Sequence, residues 1–374
     1  MRIIIAFFFF LISCNSVLAQ TPHLLQDREE TVLARVISVS DSEMKDVPNT
    51  ETQALYQKVK VRILDKDSRG KEVTIEDTSF PVKVGDKVYM RHVITSDNME
   101  YYSIQEPYRI PALLYIFLFF FVAVLVFGGK QGFLALLALF VSFGFIFKLL
   151  FPQILHGGNI VILATLGALL SLFVVMFFTH GFTRLTTAAF LGCLTSVVVT
   201  VALAFVAVRM TSLTGFSEEE SVFLNIVTKG NLDFVALLIG GIIIGVIGVI
   251  DDVAITQASV VHELRYANQN LSPRELYRKA SAVGKNHMGA VINTLILAYT
   301  GASLPLVLLL YVSDAPLLEL INREAIATEI VRSCVGSVGL LLAVPLTTII
   351  AIFLMNGKDY IKESSSHTSH THHH

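Results

Sequence analysis

The chain has 374 residues, of which 53% are apolar and 16% are charged. A soluble domain carries about 25% charged residues, so the long charge-poor segments of this chain indicate an integral membrane protein. The formal net charge of -2 argues against a nucleic-acid-binding surface. The three cysteines, Cys14, Cys193 and Cys334, have neither CxxC nor Cys/His zinc spacing. None of them lies in the polar N-terminal region, which therefore has no disulfide framework.

Residues 1–19 have the pattern of a secretory signal peptide. Arg2 precedes an apolar run, and small residues lead up to Gln20. Cleavage after Ala19 is the favoured interpretation. Two alternatives stay open: "LISC", which ends at Cys14, resembles a bacterial lipobox, and an uncleaved anchor would be shorter than the ~20 residues of a spanning helix.

Residues 20–109 differ in character from the rest of the chain. They contain five short alternating runs separated by polar and glycine-containing breaks: "TVLARVISVSD", "YQKVKVRIL", "KEVTIED", "DKVYMRHV" and "EYYSIQ". Such runs predict strands. We expect a small extracytoplasmic β-barrel or sandwich, with an OB-like barrel as one candidate. His23 and His92 are isolated and are interpreted as surface or packing residues.

Apolar segments that follow are each long enough to cross the ~30 Å hydrocarbon core of a bilayer. The predicted spans are 110–127, 132–151, 158–178, 185–208, 232–254, 288–312 and 329–355. Seven crossings from a secreted N-terminal domain put the C-terminus in the cytoplasm, and the basic connections then lie inside, as the positive-inside rule requires. The predicted fold class is an α-helical polytopic protein of the inner (plasma) membrane with about seven transmembrane helices and a small N-terminal extracytoplasmic β domain.

The C-terminal residues 356–374 end in "SSSHTSHTHHH", which predicts a disordered, histidine-rich cytoplasmic tail. Its five histidines have the chemistry to collect a divalent metal. A natural metal-collecting tail and a purification tag both fit this pattern, and we assign the tail no role in the mechanism.

Two adjacent carboxylates follow an apolar run in "GVIGVIDDVAITQAS". On a helix, one stripe about 80° wide contains the following residues: Gly241, Gly245, Gly248, Asp252, Thr256 and Ser259. Because glycines permit close helix approach in membranes, we expect the stripe to face the bundle, with Asp252 inside and Asp251 at the interface. In the alternative, both aspartates only cap the span at the cytoplasmic surface.

Further polar groups lie in the last two predicted spans. Asn293 in span six needs hydrogen-bond partners at its depth, and Pro305 can break the same helix and free backbone carbonyls. Glu329 opens span seven, where it either joins the polar site or forms a local ion pair with Arg332. The same span then presents a face of small residues that includes Gly336 and Thr347.

Catalytic motifs are absent from the sequence. It contains no nucleotide-binding glycine loop, nucleophile elbow or HExxH pair. We therefore expect no enzymatic activity and no cofactor, and any driving force should come from an ion gradient, a membrane potential or a partner protein.

Three long stretches resemble the bacterial YibE/F-like membrane protein family: "GVIGVIDDVAITQAS", "GKNHMGAVINTLILAYTGASLPL" and "NREAIATEIVRSCVGSVGLLLAVPLTT". The resemblance covers roughly Ile110 to Met355. It implies that an aspartate-valine pair corresponds to Asp252 and Val253, an asparagine-threonine pair to Asn293 and Thr294, and an acidic start of the last span to Glu329. Asp251 and Asn286 depart from the family's pattern. Some members are proposed to move manganese.

The resulting hypothesis is a transporter of a small cation, such as the divalent metal manganese, driven by proton exchange. Asp252 is the predicted metal-binding carboxylate, and oxygens suited to a hard cation would come from Thr256, Ser259, Asn293 and Glu329. The expected partners are the lipid bilayer, the cation, and a second copy or a related membrane protein. The alternative is a scaffold that transports nothing and whose β domain binds an envelope partner.

Overall fold

The computed structural model describes residues 28–46, 53–65, 69–77, 80–95, 97 and 99–355. The predicted signal peptide, with Cys14 and Ala19, and the histidine-rich tail lie outside these residues. The chain divides into two compact units at Phe127 and Gly128. The first contains the β domain, and the second contains most of the helices.

A five-stranded antiparallel sheet forms the β domain, and each predicted strand is present. Its order is β3-β2-β1-β4-β5. The strands are β1 Arg28–Asp46, β2 Gln53–Ile63, β3 Glu72–Asp77, β4 Lys87–Ile94 and β5 Glu100–Pro107. Register shifts between Val36 and Ser38 and between Ser40 and Glu43 mark bulges in the long central strand, and bulges increase the local twist of a sheet.

The sheet curls into a half-barrel. Alternating residues of β1, β2 and β4, such as Ala34, Val61 and Val88, are fully buried in one apolar core. Lys71, just before β3, pairs with Glu100 on β5, so the two edge strands approach each other across the open side. His92, one of the two isolated histidines, is buried against Tyr102, with ring centroids 4.3 Å apart, as a packing role requires.

Helices make up most of the remaining chain. Their bounds are α1 Ile110–Phe145, α2 Phe151–Leu155, α3 Ile160–His180, α4 Arg184–Met210, α5 Glu219–Val227, α6 Phe234–Ala267, α7 Pro273–Ala302, α8 Leu304–Val312, α9 Leu317–Asn322 and α10 Glu324–Leu354. A π-helical turn, Ile146–Leu150, joins α1 to α2. Gly129 interrupts α1 with φ 51° and ψ -131°.

Polar residues in the sequence set where the long helices begin. Asn159, Thr183 and Asp233 each accept a hydrogen bond from a backbone N–H of the first turn of α3, α4 and α6. Ser272 and Glu275 form a reciprocal capping box at the start of α7. These caps satisfy backbone donors that a helix N-terminus leaves free.

Several helices have the length and composition of membrane spans, which indicates a membrane-embedded protein. In the described residues there are five: Ile110–Leu155, Ile160–His180, Arg184–Met210, Phe234–Ala267 and Glu324–Leu354. The bent pair α7 and α8 makes a sixth if it counts as one span. The predicted number of seven is therefore not confirmed.

Close contacts between small residues hold α4 against α10. A Cβ atom on Gly192 would lie 2.1 Å from the Thr347 hydroxyl oxygen, and one on Gly339 would lie 2.2 Å from that of Thr200. From the first pair to the second, the residue number rises along α4 and falls along α10, so the two helices run antiparallel. Gly336, also on the predicted small face of α10, is buried against Val246 of α6. The apolar core of this unit is centred on α4, α6 and α10.

Candidate functional site

Asp251 and Asp252 lie on α6 about 27 Å from its first residue, at 1.5 Å per residue. The helix continues past them to Ala267. Asp251 is partly buried, whereas Asp252 is exposed in this chain. The prediction had the reverse, with Asp252 inside the bundle and Asp251 at its edge. The difference arises because the face of α6 with Ile247 and Asp251 is partly buried, whereas the face with Gly248 and Asp252 is exposed.

A cavity of about 720 Å³ lies between the second half of α1, α3 and α6. Both aspartates line it. Its other polar lining residues come from α1 and α3: Gln131, Ser142, Ser171, Thr179 and His180. The remaining lining is apolar and includes Phe145, Leu172 and Ile244. The cavity thus brings carboxylates and hydroxyls together inside a mostly apolar wall.

Helix α3 runs parallel to α6. A Cβ atom on Gly240 would lie 3.3 Å from the Ala164 side chain and 3.5 Å from that of Ile160. Because the two helices share a direction, their C-terminal halves lie side by side, and His180 and the aspartates belong to the same half of the cavity. The Ser171 hydroxyl donates a 2.6 Å hydrogen bond to that of Ser142, which joins α3 to α1 in the cavity wall.

No ion pair among the described residues includes either aspartate. Carboxylates in a membrane span are costly unless paired or solvated, so they are usually retained for function. In the described part of the chain, no three His, Cys, Asp or Glu residues are grouped closely enough to hold a metal. A cation at Asp251 and Asp252 would therefore take its other ligands from hydroxyls, carbonyls and water.

Three of the predicted site residues do not join this cavity. Thr256 is exposed on α6, and Asn293 is exposed on α7. The Ser259 hydroxyl donates to the carbonyl of Ile255 at 2.8 Å within its own helix. None of the three is among the residues that line the cavity, so their predicted role as ligands has no geometric support here.

Glu329 lies in a different cavity, of about 500 Å³, between the ends of α7, α8 and α10. It pairs with Arg332 at 2.8 Å. Helices α6 and α10 run parallel, because Val246 packs on Gly336 and Gln257 bonds to Thr348. Asp252 is thereby level with Leu342, about 20 Å along the axis from Glu329 at 1.5 Å per residue. The predicted single site is divided in two.

The predicted close packing of the glycine stripe is not found among the described residues. Nothing lies within 4 Å of a Cβ atom built on Gly241 or Gly248, and one on Gly245 would lie 3.2 Å from the Tyr299 hydroxyl. The stripe is instead an exposed face of α6, and Gly248 opens onto the aspartate cavity. The helical glycines whose Cβ atom would come within 3.0 Å of a neighbour are instead on α4, α7 and α10.

Gln257 is a buried polar residue of α6 that was not among the predicted site residues. Its amide nitrogen donates to the Ala280 carbonyl at 3.1 Å and to the Thr348 hydroxyl at 2.7 Å. A Cβ atom on Gly284 would lie 2.5 Å from its amide oxygen. Gln257 therefore connects α6, α7 and α10. The sequence did contain a signal for it: Gln257 lies on the face of α6 opposite the glycine stripe, and a polar amide among the bulky core residues of that face needs partners.

Comparison with protein-family models gives one match, to the YibE/F-like protein family, over residues 116–357. No curated protein and no solved structure matches the chain. The matched segment covers more than half of the sequence and contains both cavities, including Asp251, Asp252 and Glu329. On this evidence, the chain belongs to the YibE/F-like protein family.

Proposed function

We propose that this protein is a multipass transporter that moves a small cation across the bacterial inner membrane. The observation that carries the proposal is the pair Asp251 and Asp252, which line a cavity between apolar helices and form no described ion pair. Two carboxylates supply a charge that a divalent cation balances. Manganese is the proposed metal, since hard divalent cations prefer oxygen ligands.

The cavity suits an ion that stays only briefly. A long-term metal site surrounds its ion with several protein ligands, whereas this cavity offers two carboxylates and scattered hydroxyls. A cation there keeps part of its hydration shell, which lowers the cost of both entry and release. We propose that proton exchange at the same carboxylates drives the movement: the cation binds to the ionised pair and leaves when protons return.

The proposed topology has seven crossings, with the β domain outside and the C-terminus in the cytoplasm. Helix directions support it, because α3, α6 and α10 are parallel while α4 and α7 run the other way. The Ile110–Leu155 segment has 46 residues, about 69 Å as helix, or twice the ~30 Å hydrocarbon core. The break at Gly129 would divide it into two crossings.

Flux through proteoliposomes tests the proposal. Purified protein is reconstituted with an internal dye that Mn²⁺ quenches, and a pH gradient is imposed. We expect the double variant Asp251→Asn/Asp252→Asn to lose at least tenfold in rate, and each single variant to lose part of it. Asp233→Asn is the matched control, since it removes a carboxylate from the same helix while asparagine still caps the N-terminus.

The scaffold alternative makes the opposite prediction. If the aspartates are only helix-packing or interfacial groups, the double variant retains any function that the wild type has, and wild-type vesicles pass no divalent cation under any gradient. Either result would end the transport proposal. We propose no enzymatic activity and no cofactor, in keeping with the absence of catalytic motifs from the sequence.

A further inference from the structure

The second cavity lies beside a break in a membrane helix. Helix α7 ends at Ala302 and α8 begins at Leu304, with their axes bent by 71°. Pro305 has no N–H with which to satisfy the Gly301 carbonyl in the usual helical pattern. Non-helical backbone at membrane depth is tolerated where it is buried in protein or lines a cavity. Thr300, just before the break, and Ser303, at the break, line this one.

Oxygen-bearing side chains of α7, of the break after it and of α10 line the cavity, whereas α8 contributes apolar side chains. Besides Glu329, its lining includes five hydroxyl side chains: Tyr299, Thr300, Ser303, Ser333 and Ser337. Ser337 is 9% exposed, and its hydroxyl has no hydrogen-bond partner in the described structure. A buried hydroxyl without a partner destabilises the folded state, so a ligand that the oxygen can contact would recover that loss.

Glu329 already holds a cation, in the form of Arg332. Their side chains are 18% and 27% exposed, and the pair joins one guanidinium nitrogen to one carboxylate oxygen at 2.8 Å. The contact is within one helix turn. Arg332, which does not line the cavity itself, is therefore a tethered monovalent cation, and another monovalent cation can take its place as the partner of the Glu329 carboxylate.

We propose that this cavity binds a monovalent cation such as Na⁺, in competition with Arg332, at a site separate from Asp251 and Asp252. One carboxylate and several neutral oxygens balance a single positive charge, whereas a divalent ion would be left with excess charge. The C-terminal end of α7 adds the negative end of its dipole. In transporters, the ends of broken helices and unwound carbonyls coordinate such ions.

The test is binding of radioactive ²²Na⁺ to the purified full-length protein in detergent, measured by scintillation proximity. Glu329→Gln should weaken Na⁺ binding at least tenfold, because it removes the charged ligand. Arg332→Gln should tighten it severalfold, because it removes the competitor. Both variants break the same ion pair, so if the pair had a purely structural role, the Na⁺ affinity of both variants would change in the same direction. Ser337→Ala should weaken binding a few-fold.

The proposal is overturned if Glu329→Gln binds Na⁺ like the wild type, or if Arg332→Gln also weakens binding. Asp251→Asn and Asp252→Asn should leave Na⁺ binding unchanged, and a loss there would show that the two sites are one. Failure of Mn²⁺ flux with Na⁺ binding intact would count against the proposed function alone. The two proposals are thus tested separately.

Discussion

Gln257 and Thr348 are joined by a 2.7 Å hydrogen bond between the last third of α6 and the last third of α10. The Thr348 hydroxyl also donates to the Val344 carbonyl of its own helix at 2.6 Å. Gln257 uses its second amide hydrogen on Ala280 of α7. One side chain therefore fixes the relative positions of three helices close to the aspartate cavity.

Gln257→Leu should destabilise the protein by about 1–3 kcal/mol, because both interhelical hydrogen bonds are lost, each worth roughly 0.6–1.7 kcal/mol in a membrane protein. The branched leucine also meets Gly284, which closely approaches the amide. Thermal unfolding in detergent measures the loss. Thr256→Ala, an exposed neighbour on the same helix, is the control and should leave the unfolding temperature unchanged. Equal stability of the two variants would mean that the amide does not link the helices.

Gly192→Ala should be strongly destabilising, because its Cβ atom would lie 2.1 Å from the Thr347 hydroxyl oxygen and 2.9 Å from the Thr347 backbone. Overpacking of this kind costs typically 1–3 kcal/mol. Gly241→Ala has open space around its Cβ atom and should be neutral or slightly stabilising, since alanine favours helix. Thermal unfolding compares the two. A damaging Gly241→Ala would show that the glycine stripe packs on another molecule, such as a second copy.

Gly248→Leu should reduce cation flux while the protein stays folded. Nothing lies within 4 Å of its Cβ position, and the residue lines the cavity one turn before Asp252, so the leucine side chain would occupy space beside the carboxylates. The flux assay measures the effect, which we expect to be severalfold. Gly241→Leu, two turns earlier and outside the cavity lining, is the matched control. Equal flux in the two variants would place the ion path elsewhere.

Glu324→Ala should loosen the connection that follows α4. The Glu324 carboxylate accepts hydrogen bonds at 2.8 Å from the Thr214 backbone N–H and hydroxyl and from the Gly215 N–H. We expect a loss of about 2 kcal/mol, since hydrogen bonds to a charged group contribute roughly 1.5–3 kcal/mol each and the freed donors can reach water. Hydrogen exchange at residues 212–216 measures the loosening, with exposed Glu319→Ala as the control. Unchanged exchange would contradict this role.

The β domain should become less stable in acid, because the Glu72 carboxylate stabilises it only while it is ionised. Hydrogen bonds from Lys60 and then Arg62 lower the pKa of Glu72 to about 2, from 4.5. Because the folded pKa is depressed, the contribution is complete above about pH 4.5 and disappears as the pH falls towards 2. Pulse proteolysis with pepsin should show wild type outlasting Glu72→Gln near pH 4.5, with the difference vanishing by pH 2. A difference that persists at pH 2 would contradict the assignment.

The sequence by itself determined the elements. Alternating β-branched runs predicted all five strands because a half-buried strand must alternate its faces. Long charge-poor runs predicted the apolar helices, because a segment of that composition belongs in the hydrocarbon of a bilayer, where a helix satisfies its backbone hydrogen bonds. The small face of α10, with Gly336 and Thr347, was also visible in the sequence, and both residues are buried in the structure.

Only the tertiary structure decided which face of each helix meets which neighbour. In a membrane span both faces are apolar, so the glycine stripe of α6 looked like a packing face, although Gly241 and Gly248 have open space beside them. Asp251 and Asp252 are adjacent, so their side chains point in directions 100° apart around the helix. The sequence does not show on which of these two sides α1 and α3 pack. The same packing separates Glu329 from the aspartates, because the parallel alignment of α6 and α10 sets their relative depth.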